Sequence, residues 1–160
     1  MTSLHSPLYG YYFDSSALVK RYAAERGSAW VQALCDDRFH APVIAHIGLV
    51  EIAAALSSKR RGGFLSAAQY DRLLAELVQD ARSRYALVRV SAPVIDQAMQ
   101  LTRRHRLRGY DAVHLACALA VNRILRDQDL PPLIFIAADH DLLIAAQAEG
   151  LAVDNPNDHP

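Results

Sequence analysis

Short apolar runs alternate with longer helical patterns along this chain, and this alternation sharply restricts the folds it can adopt. The clearest run, Leu133–Ala137, is continuous and apolar, as expected for a central strand of a parallel sheet. Further strands are predicted over residues 9–13, 38–41, 85–90 and 151–153, the last as an edge strand. The sequence therefore predicts an α/β domain with three layers, in which helices flank a short, mainly parallel sheet.

Capping and breaking residues mark most of the predicted helix boundaries. Ser66 is a favourable N-cap for an amphipathic helix, and Gly62 follows the end of a long helix predicted over residues 44–60. Pro42 is predicted to end the strand before that long helix, because proline lacks a backbone N–H. The other helices are predicted over residues 14–22, 29–34, 91–105, 111–126 and 140–149.

Length and composition indicate one domain that spans residues 1–160, with a polar C-terminal tail over residues 154–160. Hydrophobic residues make up 52% of the chain, which is enough to bury a full core. We find neither a secretory leader nor an apolar stretch of membrane-spanning length, so we expect a cytoplasmic protein without a membrane partner. Cys35 and Cys117 lack metal-type spacing and are expected to be buried, reduced thiols.

Acidic residues follow several of the predicted strands. Asp14, Asp111 and Asp139 each lie where an apolar run or loop gives way to a helix. Because the carboxyl ends of parallel strands meet at one edge of a sheet, acids that are far apart in sequence can converge there. Carboxylates at such close range raise one another's pKa unless a cation is present. The pattern favours a site for a hard divalent ion such as Mg²⁺ or Mn²⁺.

Each acid also has an ordinary explanation. Asp is a favoured helix N-cap, which accounts for Asp14, Asp111 and Asp139 taken one at a time. Glu51 differs, because it lies within an apolar helical pattern where a carboxylate without a partner is costly to bury. An exposed stripe of that helix is the alternative location for Glu51. The metal hypothesis depends on all four acids occurring together.

Basic residues precede Asp111, although the whole chain is balanced, with 17 Lys and Arg against 17 Asp and Glu. This balance excludes a nucleic-acid footprint spread over the whole domain. The local cluster can hold an RNA phosphate backbone beside the metal site, or it can be a solvated helix end. Its members are Arg103, Arg104, Arg106 and Arg108.

Four segments together resemble a PIN domain, and the compact single-domain form resembles the VapC-type toxins of toxin-antitoxin pairs. The segments are Tyr12–Lys20, Val50–Ile52, Tyr110–Ala116 and Ala138–Leu143. Each motif is weak alone, but their order and spacing extend the resemblance over nearly the full chain.

This resemblance implies an endoribonuclease that depends on Mg²⁺ or Mn²⁺ and hydrolyses RNA phosphodiester bonds with an activated water. It also implies a cognate antitoxin protein and a homodimer. By motif match, Ser16 would supply a nearby hydroxyl. The side chains that would carry the metal site are Asp14, Glu51, Asp111 and Asp139.

One departure from the family pattern and two further residues affect how the site is interpreted. Many members of the family carry Ser or Thr where this chain has Ala137, which makes Asp139 the least secure of the four acids. Asp141 is either a substitute ligand or an acid of the first helical turn. His114 lies one helical turn after Asp111 and either faces the site or is a hydrogen-bonded helix histidine.

Other classes of protein fit less well. A response-regulator receiver needs a lysine after a late strand, which the segment from Ala138 to Leu142 lacks, and a haloacid-dehalogenase-type phosphatase needs Asp-x-Asp where this chain has Asp14-Ser15-Ser16. The remaining alternative is a catalytically idle PIN-fold module that binds another protein. The intact acids disfavour it, because an unused cluster of like charges destabilises a fold.

Overall fold

A computed structural model describes residues 8–160 of the chain. Its sheet has five strands in the order β3-β2-β1-β4-β5, and all neighbouring strands are parallel. The predicted α/β class and parallel sheet are confirmed. The strands are β1 (Leu8–Phe13), β2 (His40–Ala45), β3 (Ala86–Val88), β4 (Ile134–Ile136) and β5 (Ala152–Asp154).

Within the described residues, seven α-helices connect these strands and cover both faces of the sheet. Within residues 8–160, none of them combines the length and hydrophobicity needed to cross a membrane. The helices are α1 (Ser15–Leu18), α2 (Ser28–Asp36), α3 (Gly48–Arg61), α4 (Ala67–Ser83), α5 (Ala92–Arg104), α6 (Gly109–Asp127) and α7 (His140–Ala148).

The sheet separates two hydrophobic cores, because successive side chains of a strand point to opposite faces. Tyr12 and Phe135 belong to the core shared with α5, α6 and α7, and their rings stack with centroids 5.5 Å apart. Phe13 and Ile136 belong to the core shared with α1, α2, α3 and α4. This arrangement gives the three layers that the alternating sequence pattern predicts.

The predicted boundary between β2 and α3 is wrong. We expected Pro42 to end a strand and Ile44 to begin a helix, but β2 continues to Ala45 and α3 begins at Gly48. Pro42 is tolerated because it pairs with β1 alone, whereas the pairing of β2 with β3 begins at Val43. The short apolar run around Ile44 fits a buried strand and a helix equally well by its periodicity.

Strand β1 lies at the centre of the sheet, and the direction of the strand order reverses beside it. The chain adds β2 and β3 on one side of β1 and then places β4 and β5 on the other. The backbone N–H of Asp14 donates to the carbonyl of Ile136 at 2.9 Å, which joins the carboxyl ends of β1 and β4. Binding sites of open α/β sheets characteristically lie at such a reversal.

A buried ionic cluster ties α4 to the helical turn after β1. Asp80, only 4% exposed, accepts hydrogen bonds from Arg21 Nε at 2.9 Å and from the Tyr22 hydroxyl at 2.8 Å. Arg84 Nε lies 3.2 Å from its second oxygen, and the hydroxyls of Tyr22 and Tyr85 are hydrogen-bonded to each other. We call these five side chains the Asp80 cluster.

The polar C-terminal tail packs against the first turn of α2. The ring of His159 stacks on that of Trp30 with centroids 4.1 Å apart, and Pro156 is buried. Gly27 has φ +83°, and a Cβ atom there would lie 2.1 Å from the carbonyl oxygen of Pro156. This position therefore requires glycine for its backbone conformation and for the close approach of the tail.

Candidate active site

The structure gathers four acidic side chains around the carboxyl ends of β1 and β4. Asp14 caps α1 and accepts hydrogen bonds from the backbone N–H and the hydroxyl of Ser16, at 3.1 and 2.5 Å. Asp139 caps α7 and accepts from the backbone N–H of Leu142 at 2.9 Å. Each of these two residues is thus a helix N-cap, and each also lies beside a basic side chain that contacts another of the acids. We call Asp14, Glu51, Asp111 and Asp139 the acidic cluster.

Asp111 lies inside its helix, not before it. We expected it to open the helix, but α6 begins at Gly109 and Asp111 is in the first turn. Its Oδ2 atom accepts a hydrogen bond from the backbone N–H of Arg108 at 3.3 Å and another from Arg108 Nε at 3.0 Å. An acid at this position also satisfies the free N–H groups and the dipole of the helix N-terminus.

Glu51 reaches the site from α3 and meets His114 of α6. His114 Nε2 lies 2.5 Å from Glu51 Oε2, and its Nδ1 lies 3.1 Å from the hydroxyl of Tyr12. His114 is completely buried, so both interpretations of this histidine apply: it faces the acids and it is a hydrogen-bonded helix residue. Its Nε2 also lies 3.8 Å from Asp14 Oδ1, which places Asp14 and Glu51 around one imidazole.

For both Asp14 and His114, burial and neighbouring charges shift the pKa in opposite directions. Burial raises the pKa of the Asp14 carboxyl above its ordinary value, although His114 and the Ser16 hydrogen bonds lower it. Burial lowers the pKa of His114, but its hydrogen bond to Glu51 and the charge of Asp14 raise that pKa above its ordinary value overall. The buried acid thus favours a proton or a nearby positive charge.

Ser16 connects the ends of the two central strands. Its hydroxyl donates to Asp14 and accepts from the backbone N–H of Ala138 at 3.0 Å. Ala137, the residue before Ala138, is completely buried. The Ser16 hydroxyl therefore connects Asp14 with the segment after β4 through two hydrogen bonds. The methyl side chain of Ala137 can form no hydrogen bond.

Arg108 lies between Asp111 and Asp139 on the open side of the site. Its Nε contacts Asp111, and its Nη2 lies 3.6 Å from Asp139 Oδ2. An open cleft of about 420 Å³ extends from these groups, and Arg106 and Asp141 also line it. Asp141 is thus in the first turn of α7 and on the wall of the cleft.

The other two predicted arginines lie at the end of α5. Arg104 Nη2 pairs with Glu149 at 3.0 Å, and His105 Nε2 lies 2.6 Å from the same carboxylate oxygen. Arg103 is exposed in the last turn of α5. The structure therefore separates the predicted basic cluster into two residues on the cleft and two on the adjoining helix end.

The acidic cluster fits a hard divalent cation by its chemistry, since all its donors are carboxylate oxygens. Within residues 8–160, however, no three His, Cys, Asp or Glu side chains are arranged to hold one metal ion as they stand. The acids are instead associated as two pairs, one around the His114 imidazole and one around the Arg108 guanidinium. Holding a shared ion requires the pair around exposed Arg108 to rearrange.

Tyr12 contacts His114, the histidine beside the acidic cluster, through a hydrogen bond that the sequence did not indicate. Its hydroxyl accepts a hydrogen bond from the backbone N–H of Ala45 at 3.2 Å and contacts His114 Nδ1. Burial raises the pKa of this hydroxyl well above its ordinary value, so it stays protonated. An aromatic residue in a strand is ordinarily a core residue, and no sequence pattern linked Tyr12 to a histidine 102 positions later.

Replacing His114 with Ala should lower the free energy of unfolding by about 2–4 kcal/mol, because a buried ring is lost and the Tyr12 hydroxyl loses its partner. Urea denaturation of the metal-free protein measures this change. His46→Ala is the control, since His46 is exposed beside the same sheet edge. Equal stabilities of the two variants would contradict a structural role for His114.

A family model described as the PIN domain matches residues 11–147. Ribonuclease VapC45 of Mycobacterium tuberculosis (strain CDC 1551 / Oshkosh) is 36% identical over 145 residues, which cover 89% of this chain and 92% of the relative.

Solved structures share the fold at lower sequence identity. The sarcin-ricin loop cleaving toxin VapC20 of Mycobacterium tuberculosis superposes with a TM-score of 0.60 and 16% identity, covering 89% of this chain and 97% of that one. A chain of a toxin-antitoxin complex from Klebsiella pneumoniae superposes with a TM-score of 0.56 and 16% identity, covering 92% and 98%. At these identities, the two likenesses concern the fold.

Proposed function

Because this chain belongs to the PIN domain family, we propose that it is a Mg²⁺- or Mn²⁺-dependent endoribonuclease and the toxin of a toxin-antitoxin pair. The similarity to a ribonuclease extends over nearly the whole of both chains. Its fold is shared with a toxin that cleaves RNA. These likenesses support the activity, and the site geometry supports the mode of catalysis.

The convergence of the acidic cluster is the observation that carries this proposal. Its members come from segments at residues 14, 51, 111 and 139, yet they meet where the strand order reverses. Such a concentration of carboxylates costs stability unless a positive charge compensates it. Two basic side chains of the protein supply that charge, and a divalent ion is the natural alternative.

A bound Mg²⁺ or Mn²⁺ would activate water and neutralise the charge on the phosphate that is cleaved. The residues that would hold the ion are Asp14, Glu51, Asp111 and Asp139. The protein keeps two of these carboxylates in place through neighbouring side chains. Ser16 orients Asp14 with two hydrogen bonds, and His114 orients Glu51 with one.

The RNA would enter along the cleft beside the acidic cluster. Arg106 and Arg108 line this cleft and can bind phosphate oxygens, while Arg103 and Arg104 extend the positive charge along the end of α5. Tyr110 is 57% exposed at the start of α6 and offers a face on which a base can stack.

We further propose that the protein acts in the cytoplasm, forms a homodimer and is held inactive by a cognate antitoxin. A toxin-antitoxin complex of the same fold supports the protein partner. An open, apolar groove between α3, α4 and β3 offers a surface for such contacts, and Val50, Val78 and Leu87 are exposed along it.

Cleavage of a structured RNA pool tests the proposed function. The purified protein should cut RNA with Mg²⁺ or Mn²⁺ and should stop when EDTA is added. Asp111→Asn should lower the rate about 100-fold or more, because it removes a negative charge that the ion needs. Asp127→Asn is the matched control, since Asp127 is exposed at the far end of the same helix.

Two results would count against the nuclease. One is wild-type protein that neither cuts RNA nor binds divalent ions by calorimetry, which would favour an idle PIN-fold module that binds another protein. The other is an Asp111→Asn variant as active as the Asp127→Asn control, which would place the reaction away from the acidic cluster.

A further inference from the structure

Two positive side chains compensate the acidic cluster, and they differ in their freedom to move. The imidazole of His114 is completely buried and has a partner at each nitrogen, Tyr12 and Glu51. The side chain of Arg108 is 80% exposed. The histidine is therefore a fixed part of the site, whereas the guanidinium can leave without disturbing the core.

Arg108 bridges two acids that belong to different helices. Its guanidinium lies 3.0 Å from Asp111 at the start of α6 and 3.6 Å from Asp139 at the start of α7. The carboxylates themselves are less exposed, at 14% and 33%. A cation in this position reduces the repulsion between two carboxylates that would otherwise face each other across the cleft.

The same position is the one that a divalent ion would need. Arg108 contacts the Oδ2 atoms of Asp111 and Asp139, and an ion shared by the acidic cluster would draw on the same two carboxylates, so the two cations would compete for them. The displaced guanidinium would still lie at the mouth of the cleft that Arg106 lines. Its planar set of donors suits two oxygens of a phosphate as well as it suits carboxylates.

We propose that Arg108 is a displaceable counter-cation: it neutralises Asp111 and Asp139 in the metal-free protein, and it binds an RNA phosphate when a divalent ion takes its place. This inference rests on the proposed metal-dependent nuclease. It makes Arg108 a positioning residue that links loading of the ion to binding of the substrate, so RNA affinity rises when metal is bound.

Calorimetric titration with Mn²⁺ tests the competition directly. Arg108→Gln should bind Mn²⁺ about tenfold more tightly than the wild type, which corresponds to about 1.4 kcal/mol. Arg106→Gln is the matched control, because Arg106 lines the same cleft but has no ion pair with these acids within residues 8–160. Its Mn²⁺ affinity should change less than the affinity of the Arg108 variant.

Binding of a fluorescent phosphorothioate RNA, measured by anisotropy with and without Mn²⁺, tests the second half of the exchange. Mn²⁺ should raise the RNA affinity of the wild type severalfold, and Arg108→Gln should lose most of that gain. Unchanged or weaker Mn²⁺ binding by Arg108→Gln, or a full gain in its RNA affinity, would overturn the inference while a metal-dependent wild-type nuclease still stands. A wild type that binds no divalent ion and cuts no RNA would overturn both.

Discussion

Replacing Asp14 with Asn should lower the rate of RNA cleavage about 10³-fold and raise the melting temperature of the metal-free protein. The first effect follows because Asp14 is the most buried carboxylate of the acidic cluster, and losing one ligand charge weakens both metal binding and charge stabilisation. A loss of this size equals about 4 kcal/mol of transition-state stabilisation.

The gain in stability has a definite sign. Burial raises the pKa of Asp14 in the folded protein, so the folded state holds this proton more tightly than the unfolded chain does. Ionisation of Asp14 therefore lowers the free energy of unfolding as the pH rises above the pKa of the unfolded chain. An Asn side chain keeps an acceptor for Ser16 without this penalty.

Thermal unfolding in EDTA at several pH values, paired with cleavage assays in Mn²⁺, checks both effects. Asp96→Asn, on the exposed face of α5, serves as the control. A melting temperature for Asp14→Asn below that of the wild type at neutral pH would mean that Asp14 stabilises the metal-free fold. Burial of ionised Asp14 would then not destabilise the fold, whatever the effect of the substitution on cleavage.

Replacing Asp80 with Ala should lower the free energy of unfolding by about 3–5 kcal/mol, although Asp80 lies outside the active site. The substitution leaves the Arg21 side chain, which is 8% exposed, with exposed Asp36 as its remaining carboxylate partner, so its buried charge is only partly compensated. It also removes an acceptor from the Tyr22 hydroxyl. Leaving a buried charge uncompensated costs much more than an exposed ion pair contributes.

Chemical denaturation of Asp80→Ala beside Asp71→Ala measures this cost, because Asp71 is exposed on the same helix. Losses below about 1 kcal/mol for both variants would place the Asp80 cluster among weak surface pairs. We expect the metal-binding affinity of folded Asp80→Ala to equal that of the wild type, since this cluster and the acidic cluster share no side chain.

Much of the fold follows from local patterns in the sequence. The continuous apolar run before Ala137 predicts β4, and Ser66 predicts the start of α4, where it forms a capping box with Gln69. The local sequence pattern predicted the wrong secondary structure between Pro42 and Gly48. There the identity of the element depends on pairing with β3, which lies some 40 residues later in the chain.

The proximity of the acids in the acidic cluster was predictable only in part, because strand ends pointed to Asp14 and Asp139, whereas Glu51 and Asp111 were indicated by the family motifs. The partners of those acids were less predictable. The sequence left open whether His114 faces the site, and nothing in it indicated the hydroxyl of Tyr12 beside the Nδ1 atom. Arg108 was identified as a basic residue near the site, whereas its bridge between Asp111 and Asp139 depends on how α6 and α7 are packed.

The Asp80 cluster could not be predicted from the sequence. Arg21 and Asp80 are 59 positions apart, and each reads locally as a charged residue on an ordinary helix surface. Burial of this pair depends on the docking of α4 against the turn after β1, which is a tertiary property. Periodicity along one helix cannot reveal which charged residue will lose contact with water.

The position of β1 at the centre of the sheet also affects when this protein can become active during its synthesis. Asp139 is synthesised 125 residues after Asp14, and β4, which precedes Asp139, pairs directly with β1. A nascent or prematurely terminated chain that lacks β4 also lacks Asp139, so it has three of the four acids and an open edge on its central strand. We therefore expect RNA-cleaving ability to appear only after β4 and Asp139 have been synthesised.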